Sequence, residues 1–536
     1  MPRADWALAG ALAAATLAAE WPSRTRILPT WDAVQFALAL REYDIVRHQP
    51  HPPGYVLYVA AGRALAGLVG DPVAALTTLG VLGSAVAVLL VYRLGWSLEG
   101  RAVAVVAALG CLASPLLWAD AAAGLPYAVE AALATAVALA AWAMRGGSRH
   151  ALVVGALLLG VAGGVRQAIL LLMGPLWLGM AWLGFRRRGP VLAGAALVGV
   201  ATAAWAGPML WLVGPQRYLE ASLDLYASTV HATTVVGGGW GRNLVGLTEA
   251  LLVGFGVFLP VLPHALRRVR RDLDPPRAIF FALWIAPPLA VYGLVHLGQP
   301  GYLLTVLPAG YLLIGSALVG QARHAAPDRR ARLRPAAVGA VAAALVLHTA
   351  FFLAAPPVDV PFPDGTAPFR VRAEAALRAW YRFRLWPHTA AALRERQAVV
   401  MTYVDAVRRE FPPWSTVLVT ELGNPRSYPW FRHAMYYLPE YAVYHLRLGA
   451  AGPGYLLSRE LTTMAAIDDR RVPLPVGTRR LVWLVEHWDP ARPAPPGLVA
   501  RPLPYGRWLY VLPLERGGLD YAGYRLERVT ALSRLR

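Results

Sequence analysis

Residues 73–92 read VAALTTLGVLGSAVAVLLVY, twenty residues without a charge, and such runs recur along the chain to about residue 355. In lipid no water is at hand for the backbone N–H and C=O groups. A run this long therefore crosses as a helix, which bonds its own backbone, or as part of a closed barrel. Runs such as ALVVGALLLGVAGG and PAAVGAVAAALVLHTAFFLAA are rich in Ala, Gly and Leu and lack the two-residue alternation of barrel strands. The chain is therefore read as a polytopic α-helical membrane protein.

Eleven spans are predicted, near 5–21, 73–92, 102–119, 126–144, 151–165, 168–185, 190–213, 244–264, 278–297, 302–320 and 335–355. The stretch 54–70 is short and carries Arg63 in its middle. The chain's formal charge is +20, and every basic residue is arginine. Many arginines cluster in short loops: Arg186–Arg188, Arg267–Arg271 and Arg329–Arg334. That placement is the positive-inside pattern of cytoplasmic loops and argues against a nucleic-acid partner. With eleven spans and a cytoplasmic N-terminus these clusters, and those at Arg93/Arg101 and Arg145/Arg149, all lie inside. If 54–70 also crossed, they would all lie outside. The segment is therefore expected along the outer interface, ending an outward loop over 22–72. The N-terminal apolar run lacks a small-residue cleavage site before Glu20 and Trp21, so it is read as a retained helix. A single cysteine, Cys111, rules out an internal disulfide.

Residues 1–355 thus form the membrane module. A Pro-rich linker and helical segment follow over 356–410, and a small extracytoplasmic α/β domain over 411–536. Its strands are predicted at 415–421, 441–448, 479–487 and 507–514, with a short helix in PWFRHAMYYLP. It contains neither a phosphate-binding glycine loop nor a dinucleotide fingerprint.

The same parity gathers the unusual polar residues on the outer face. Asp32 follows the first span beside Trp31, where a partly dry carboxylate suits a general base; the plainer reading is a solvated loop acid. Asp44 shares that ambiguity. His48 and His51 flank prolines that disrupt metal-ligand spacing. Asp120 and Glu130 end two adjacent spans. They are second-acid candidates that two carboxylates sharing a substrate hydroxyl or a divalent cation (Mg or Mn) would explain. Tyr127 lies three residues before Glu130, on the same helix face. Arg166 interrupts an apolar run, where a charge marks function or an interfacial anchor. His231, His296, Gln299 and Tyr302 are weaker candidates on the same face.

An acid just after the first span, a loop ending in HPPGY, YAVEAAL, GGVRQAILLL and HLGQPGYLLTVLPAG occur in an order that resembles the GT-C membrane glycosyltransferases. The likeness covers about residues 5–320 and points to the protein O-mannosyltransferase-like group and the aminoarabinose- and Rgt-type lipid-sugar transferases. It implies a GT-C-like bundle, a polyprenyl-phosphate sugar donor and an acceptor hydroxyl on a protein, lipid or polysaccharide. Asp32 would then deprotonate or orient the acceptor, and Arg166 would stabilise the leaving phosphate. His51, Gln299, Tyr302 and Tyr127 would bind donor or substrate. Two departures stand out. Ala33 follows Asp32 where the mannosyltransferases have a second acid, which passes any such role to Asp44, to Glu130 or to nothing. His51 stands where the aminoarabinose type has lysine. The rival expectation is a transporter or flippase for a lipid-linked saccharide, and a receptor or assembly scaffold is a third.

Overall fold

The computed structural model describes residues 1–536 other than 272, 325–326, 355–387, 423–429, 449–453, 460–461, 464–466, 486–487, 489–492, 516–517 and 530–536. The Pro-rich part of the predicted linker falls outside the described residues. The described residues up to 354 form sixteen α-helices: α1 (Arg3–Glu20), α2 (Trp31–Arg41), α3 (Val56–Val69), α4 (Pro72–Glu99), α5 (Arg101–Leu112), α6 (Pro115–Ala122), α7 (Tyr127–Met144), α8 (Arg149–Val165), α9 (Ala168–Phe185), α10 (Arg188–Val213), α11 (Pro215–Leu225), α12 (Trp240–Phe255), α13 (Leu262–Arg271), α14 (Pro275–Leu294), α15 (Leu307–His324) and α16 (Pro327–Ala354).

Helices lie at every predicted span. Six of them are long and apolar enough to cross a membrane, or seven if α5 and α6, bent by 51°, are one span. Shorter apolar helices at Arg149–Val165, Leu307–Gly320 and Val338–Ala354, together with α1, occupy the other positions. The segment predicted to lie along the interface is α3, only 14 residues long.

Local chemistry sets the helix ends. Asp71 accepts from the amides of Val73 and Ala74 ahead of Pro72, and Asp274 does the same for Arg277 ahead of Pro275. A proline in the first turn loses no helical hydrogen bond, and the carboxylate satisfies amides that have no helical partner. Arg166 stops α8 by adopting an extended conformation (φ −152°, ψ 115°), so the chain turns at the charge. At the centre, α4 approaches α7 where Gly83 leaves no room: a Cβ there would sit 2.7 Å from the Val129 nitrogen. On the periphery α10 keeps Leu192, Val200 and Trp211 exposed, an apolar face suited to lipid.

The C-terminal part opens with α17 (Ala390–Glu410) and contains a second helix, α18 (Trp430–Tyr437). Its strands are β1 (Thr416–Leu422), β2 (Ala442–Arg447), β3 (Tyr455–Arg459), β4 (Thr462–Thr463), β5 (Arg471–Leu474), β6 (Arg480–Trp483), β7 (Val499–Leu503), β8 (Arg507–Pro513), β9 (Leu519–Tyr521) and β10 (Tyr524–Arg528). Seven form a mixed sheet in the order β4-β3-β2-β1-β6-β8-β7, with β2, β1 and β6 parallel at its centre. Side chains alternate across it. Leu418, Val443 and Val482 pack with Val400, Tyr403 and Phe431 of the helices. Val417, Val419 and Tyr444 pack with Val472, Leu474 and Leu526 of the small β5-β10-β9 sheet. All four strands and the short helix expected from the sequence are present.

This domain docks on the loop before α2 and on the polar loop after it. The Gln397 Oε1 accepts from the Arg26 and Ile27 amides at 2.7 and 3.2 Å. The Leu28 amide donates to the Tyr437 hydroxyl, and His433 Nε2 lies 3.1 Å from the Leu28 carbonyl oxygen. That interface stands next to the residues described below.

Candidate active site

Thr30 caps α2, its hydroxyl accepting from the Ala33 amide, and the first turn then carries Asp32. Asp32 is about one-third exposed (32%), whereas Glu130 and Arg166 are 1% and 6%. The Asp32 carboxylate is thus the reachable acid, held in place from one side. Gln299 Nε2 donates to its Oδ2 at 3.0 Å and to the Tyr127 hydroxyl at 2.5 Å. Its Oδ1 lies 4.0 Å from His51 Nδ1.

His51 is reached through a loop folded tightly on itself. Positive φ angles at His48, Gly54 and Tyr55 turn the chain, and the Gln49–Pro50 and Pro52–Pro53 peptide bonds are cis. The Tyr43 hydroxyl donates to the Gly54 carbonyl at 2.8 Å. The imidazole of His51 sits between Gln35 Oε1 (2.7 Å from Nδ1) and the Tyr55 hydroxyl (3.1 Å from Nε2). Burial pushes its pKa down, Asp32 raises it, and Arg166 and Arg432 lower it further. A neutral ring carries one N–H. Beside a carbonyl oxygen that proton belongs on Nδ1, so Nε2 accepts from Tyr55. His51 is therefore a fixed link between α2 and the start of α3.

Behind Asp32 is a second layer. Arg166 Nη1 donates to both carboxylate oxygens of Glu130, at 3.1 and 2.9 Å. The guanidinium lies 3.9 Å from the Tyr302 ring centre and 5.3 Å from that of Tyr127. Thr305 donates to Glu130 Oε1 at 3.1 Å and meets the Tyr292 hydroxyl at 2.9 Å. Paired, hydrogen-bonded and faced by aromatic rings, the two charges meet the conditions under which burial is tolerated.

The structure brings Asp32, His51, Gln299, Tyr302, Tyr127, Glu130 and Arg166 into one assembly. Asp120 stands at its edge, 5% exposed, against the Gln299 loop: a Cβ on Gly301 would lie 2.6 Å from its Oδ1. Asp44 is placed elsewhere. Its Oδ1 accepts from the Val46 and Arg47 amides, and its Oδ2 faces Arg47 at 3.3 Å, which makes it the organiser of its own turn. His296 meets Thr233 at 2.8 Å, and His231 packs on Tyr226. Among the described residues no group of three or more His, Cys, Asp or Glu side chains is placed to hold a metal ion. Asp44 and Glu130 each have a separate engagement, whereas the buried Asp120 Oδ2 has no hydrogen-bond partner among the described residues.

Gln35, Tyr55, Tyr292 and Thr305 belong to this assembly and escaped the sequence reading. Gln35 follows Asp32 by three residues, and that spacing on a helix was the one signal that pointed to it.

The sequence matches no family model and no curated protein. The architecture does have likenesses among solved structures, and they define its fold. It is similar to ArnT from Cupriavidus metallidurans bound to undecaprenyl phosphate, with 15% identity, a TM-score of 0.54 and coverage of 95% of this chain and 98% of that one. The apo state of the same ArnT gives 16% identity, a TM-score of 0.56 and coverage of 93% and 97%.

Proposed function

We propose that this chain is a membrane glycosyltransferase that moves a sugar from a polyprenyl-phosphate donor to an acceptor hydroxyl. The observation that carries the reading is the reachable Asp32 carboxylate, fixed through Oδ2 by Gln299 in front of a buried Arg166–Glu130 pair. The likeness over nearly the whole chain to an ArnT structure holding undecaprenyl phosphate supports a lipid-linked donor. Asp32 Oδ1 takes the proton of the acceptor hydroxyl. The acceptor oxygen then attacks the anomeric carbon, the bond from that carbon to the phosphate oxygen breaks, and the polyprenyl phosphate leaves with the electron pair. Attack opposite the leaving group inverts the configuration. Gln299 keeps Oδ2 occupied, so that Oδ1 faces the acceptor. Arg166 and Glu130 hold the tyrosines around that pair. The reading routes no step through a divalent cation.

The arginine loops support eleven crossings, a cytoplasmic N-terminus, α3 resting along the outer interface and chemistry on the outer face of the cell membrane. Labelled-sugar transfer from a polyprenyl-phosphate sugar in detergent tests the reading. Asp32→Asn is expected to lower turnover by about 10² to 10⁴, the usual worth of a positioned base, with membrane levels unchanged. Near-normal turnover would remove Asp32 from the reaction. Uptake of a lipid-linked saccharide by sealed vesicles, without a new covalent product, would replace the enzyme by a transporter.

A further inference from the structure

The far end of the C-terminal domain carries a cluster that the reaction above does not use. Helix α17 meets the membrane module near its start, where Gln397 takes the Arg26 and Ile27 amides. At 1.5 Å per residue its last residue, Glu410, stands about 20 Å further along. Pro412 and Pro413 cannot continue the helix, and a 3-10 turn over Pro413–Ser415 leads into β1. Trp414 sits in that turn and is 64% exposed, more than any other aromatic side chain among the described residues of the domain. The turn is tied to the start of β6: the Arg479 amide donates to the Ser415 carbonyl at 2.8 Å, and Thr416 pairs with Arg480.

Guanidinium groups gather around this turn. Arg479 Cζ lies 5.2 Å from the Trp414 ring centre, and those of Arg480 and Arg501 lie 5.9 and 5.8 Å from that of Phe411. Arg409 and Arg501 share Glu410, at 3.3 and 2.7 Å. Arg479 and Arg480 meet rings and, among the described residues, no carboxylate. Four cations thus share one anion. Arginine is the chain's only basic side chain, so scattered surface arginines are expected of it. A net positive cluster around an exposed indole is not. An exposed apolar ring rimmed by charge marks an interaction surface, and the sign of the field selects an anionic partner.

We propose that this end of the C-terminal domain binds an acidic polysaccharide, a chain of carboxylate-bearing sugars, and so presents the acceptor to the membrane module. A pyranose offers its C–H face to an indole, and its carboxylate offers a planar anion to the fork of an arginine. A lipid headgroup offers the anion without the ring, and it lies in the bilayer rather than a helix length beyond the docking contact. A polymer spans that distance. The binding stands on the surface alone; that the bound polymer is the acceptor rests on the glycosyltransferase reading above.

The test titrates the full-length protein in phosphatidylcholine nanodiscs with oligogalacturonate, with dextran of the same length and with phosphatidylglycerol vesicles. Oligogalacturonate is expected to bind about tenfold or more tightly than dextran, and less tightly as salt is added. Arg479→Gln with Arg480→Gln is expected to weaken it about fivefold or more, and Trp414→Ala by a similar factor that Trp414→Phe largely restores. These side chains lie at the surface, and an unchanged thermal midpoint shows that each variant keeps its fold. If Trp414→Ala lowers the midpoint, the arginine double variant decides alone, weakened binding supporting the proposal and unchanged binding overturning it. No binding of oligogalacturonate by the wild type, equal binding of dextran, or tighter binding of the vesicles also overturns it. The labelled-sugar assay reads the other part separately. Failure of the surface leaves the glycosyltransferase reading standing, and absence of any sugar transfer removes the acceptor role while the binding stands.

Discussion

Removing Glu130 leaves Arg166 charged and buried with its counter-ion gone. Breaking a buried pair from one side costs about 3–5 kcal/mol, far more than an exposed pair would. Glu130→Ala is therefore expected to lower the thermal midpoint of the detergent-solubilised protein sharply. Glu130→Gln combined with Arg166→Met removes both charges and is expected to recover much of that loss. The histidines at the domain contact define a pH dependence. Burial, aided by Arg432, pushes His48 and His445 down to about 3. An unfolded histidine titrates near 6.5. Between those values the unfolded chain binds protons that the folded one refuses, so stability is complete above about pH 6.5 and is lost as the pH falls towards 3. Melting curves between pH 7.5 and 4 check the sign, and His445→Gln should flatten the slope. At this scale the sequence was informative where a residue type was out of place. Asp32, Glu130 and Arg166 stood out as charges beside apolar runs. Tyr55, Tyr292 and Thr305 did not, because tyrosine and threonine are ordinary in any helix and only distant partners give them a role. Asp44 was offered as a second acid because nothing in its charge reveals that it binds the amides two and three residues on.

Gln299 owes its position to an element with almost no room. It precedes a 3-10 turn over Pro300–Thr305, and Gly301 in that turn faces Asp120 and Tyr127 at distances a methyl group would violate. Gly301→Ala is expected to push the turn away from α7, loosen the hold on Asp32 and lower the turnover number more than it raises the Michaelis constant for the donor. Steady-state kinetics separate the two. The predicted spans were legible because apolar length is a local property. Bends were not: α5 and α6 looked like one run, yet Pro115 starts a second helix at 51° to the first, while the Ser114 hydroxyl before it donates to the Gly254 carbonyl. In the C-terminal domain, β-branched and aromatic runs located the strands, and the partnering of β1 with both β2 and β6 emerged only in three dimensions.

The whole molecule joins two units through backbone groups of the loop between α1 and α2. Gln397, His433 and Tyr437 contact residues 26–28, a handful of polar contacts spanning 370 to 409 positions of sequence. No pattern within either unit announces such a contact, which is why the sequence left the domain's role open. Gln397→Ala with Tyr437→Phe is expected to free the domain, seen as faster proteolytic release, while the membrane module keeps its fold. Helix α3 adds a mechanical link on the other side. Arg63 of α3 donates to the Leu40 and Ala39 carbonyls at 3.0 and 2.8 Å, tying it to the far end of the helix whose first turn carries Asp32. With α3 resting on the lipid boundary as proposed, it acts as a float whose height sets how deep the reacting carboxylate rides. Bilayer thickness then becomes a dial on the enzyme: lipids with shorter or longer acyl chains would shift Asp32 against the donor's phosphate.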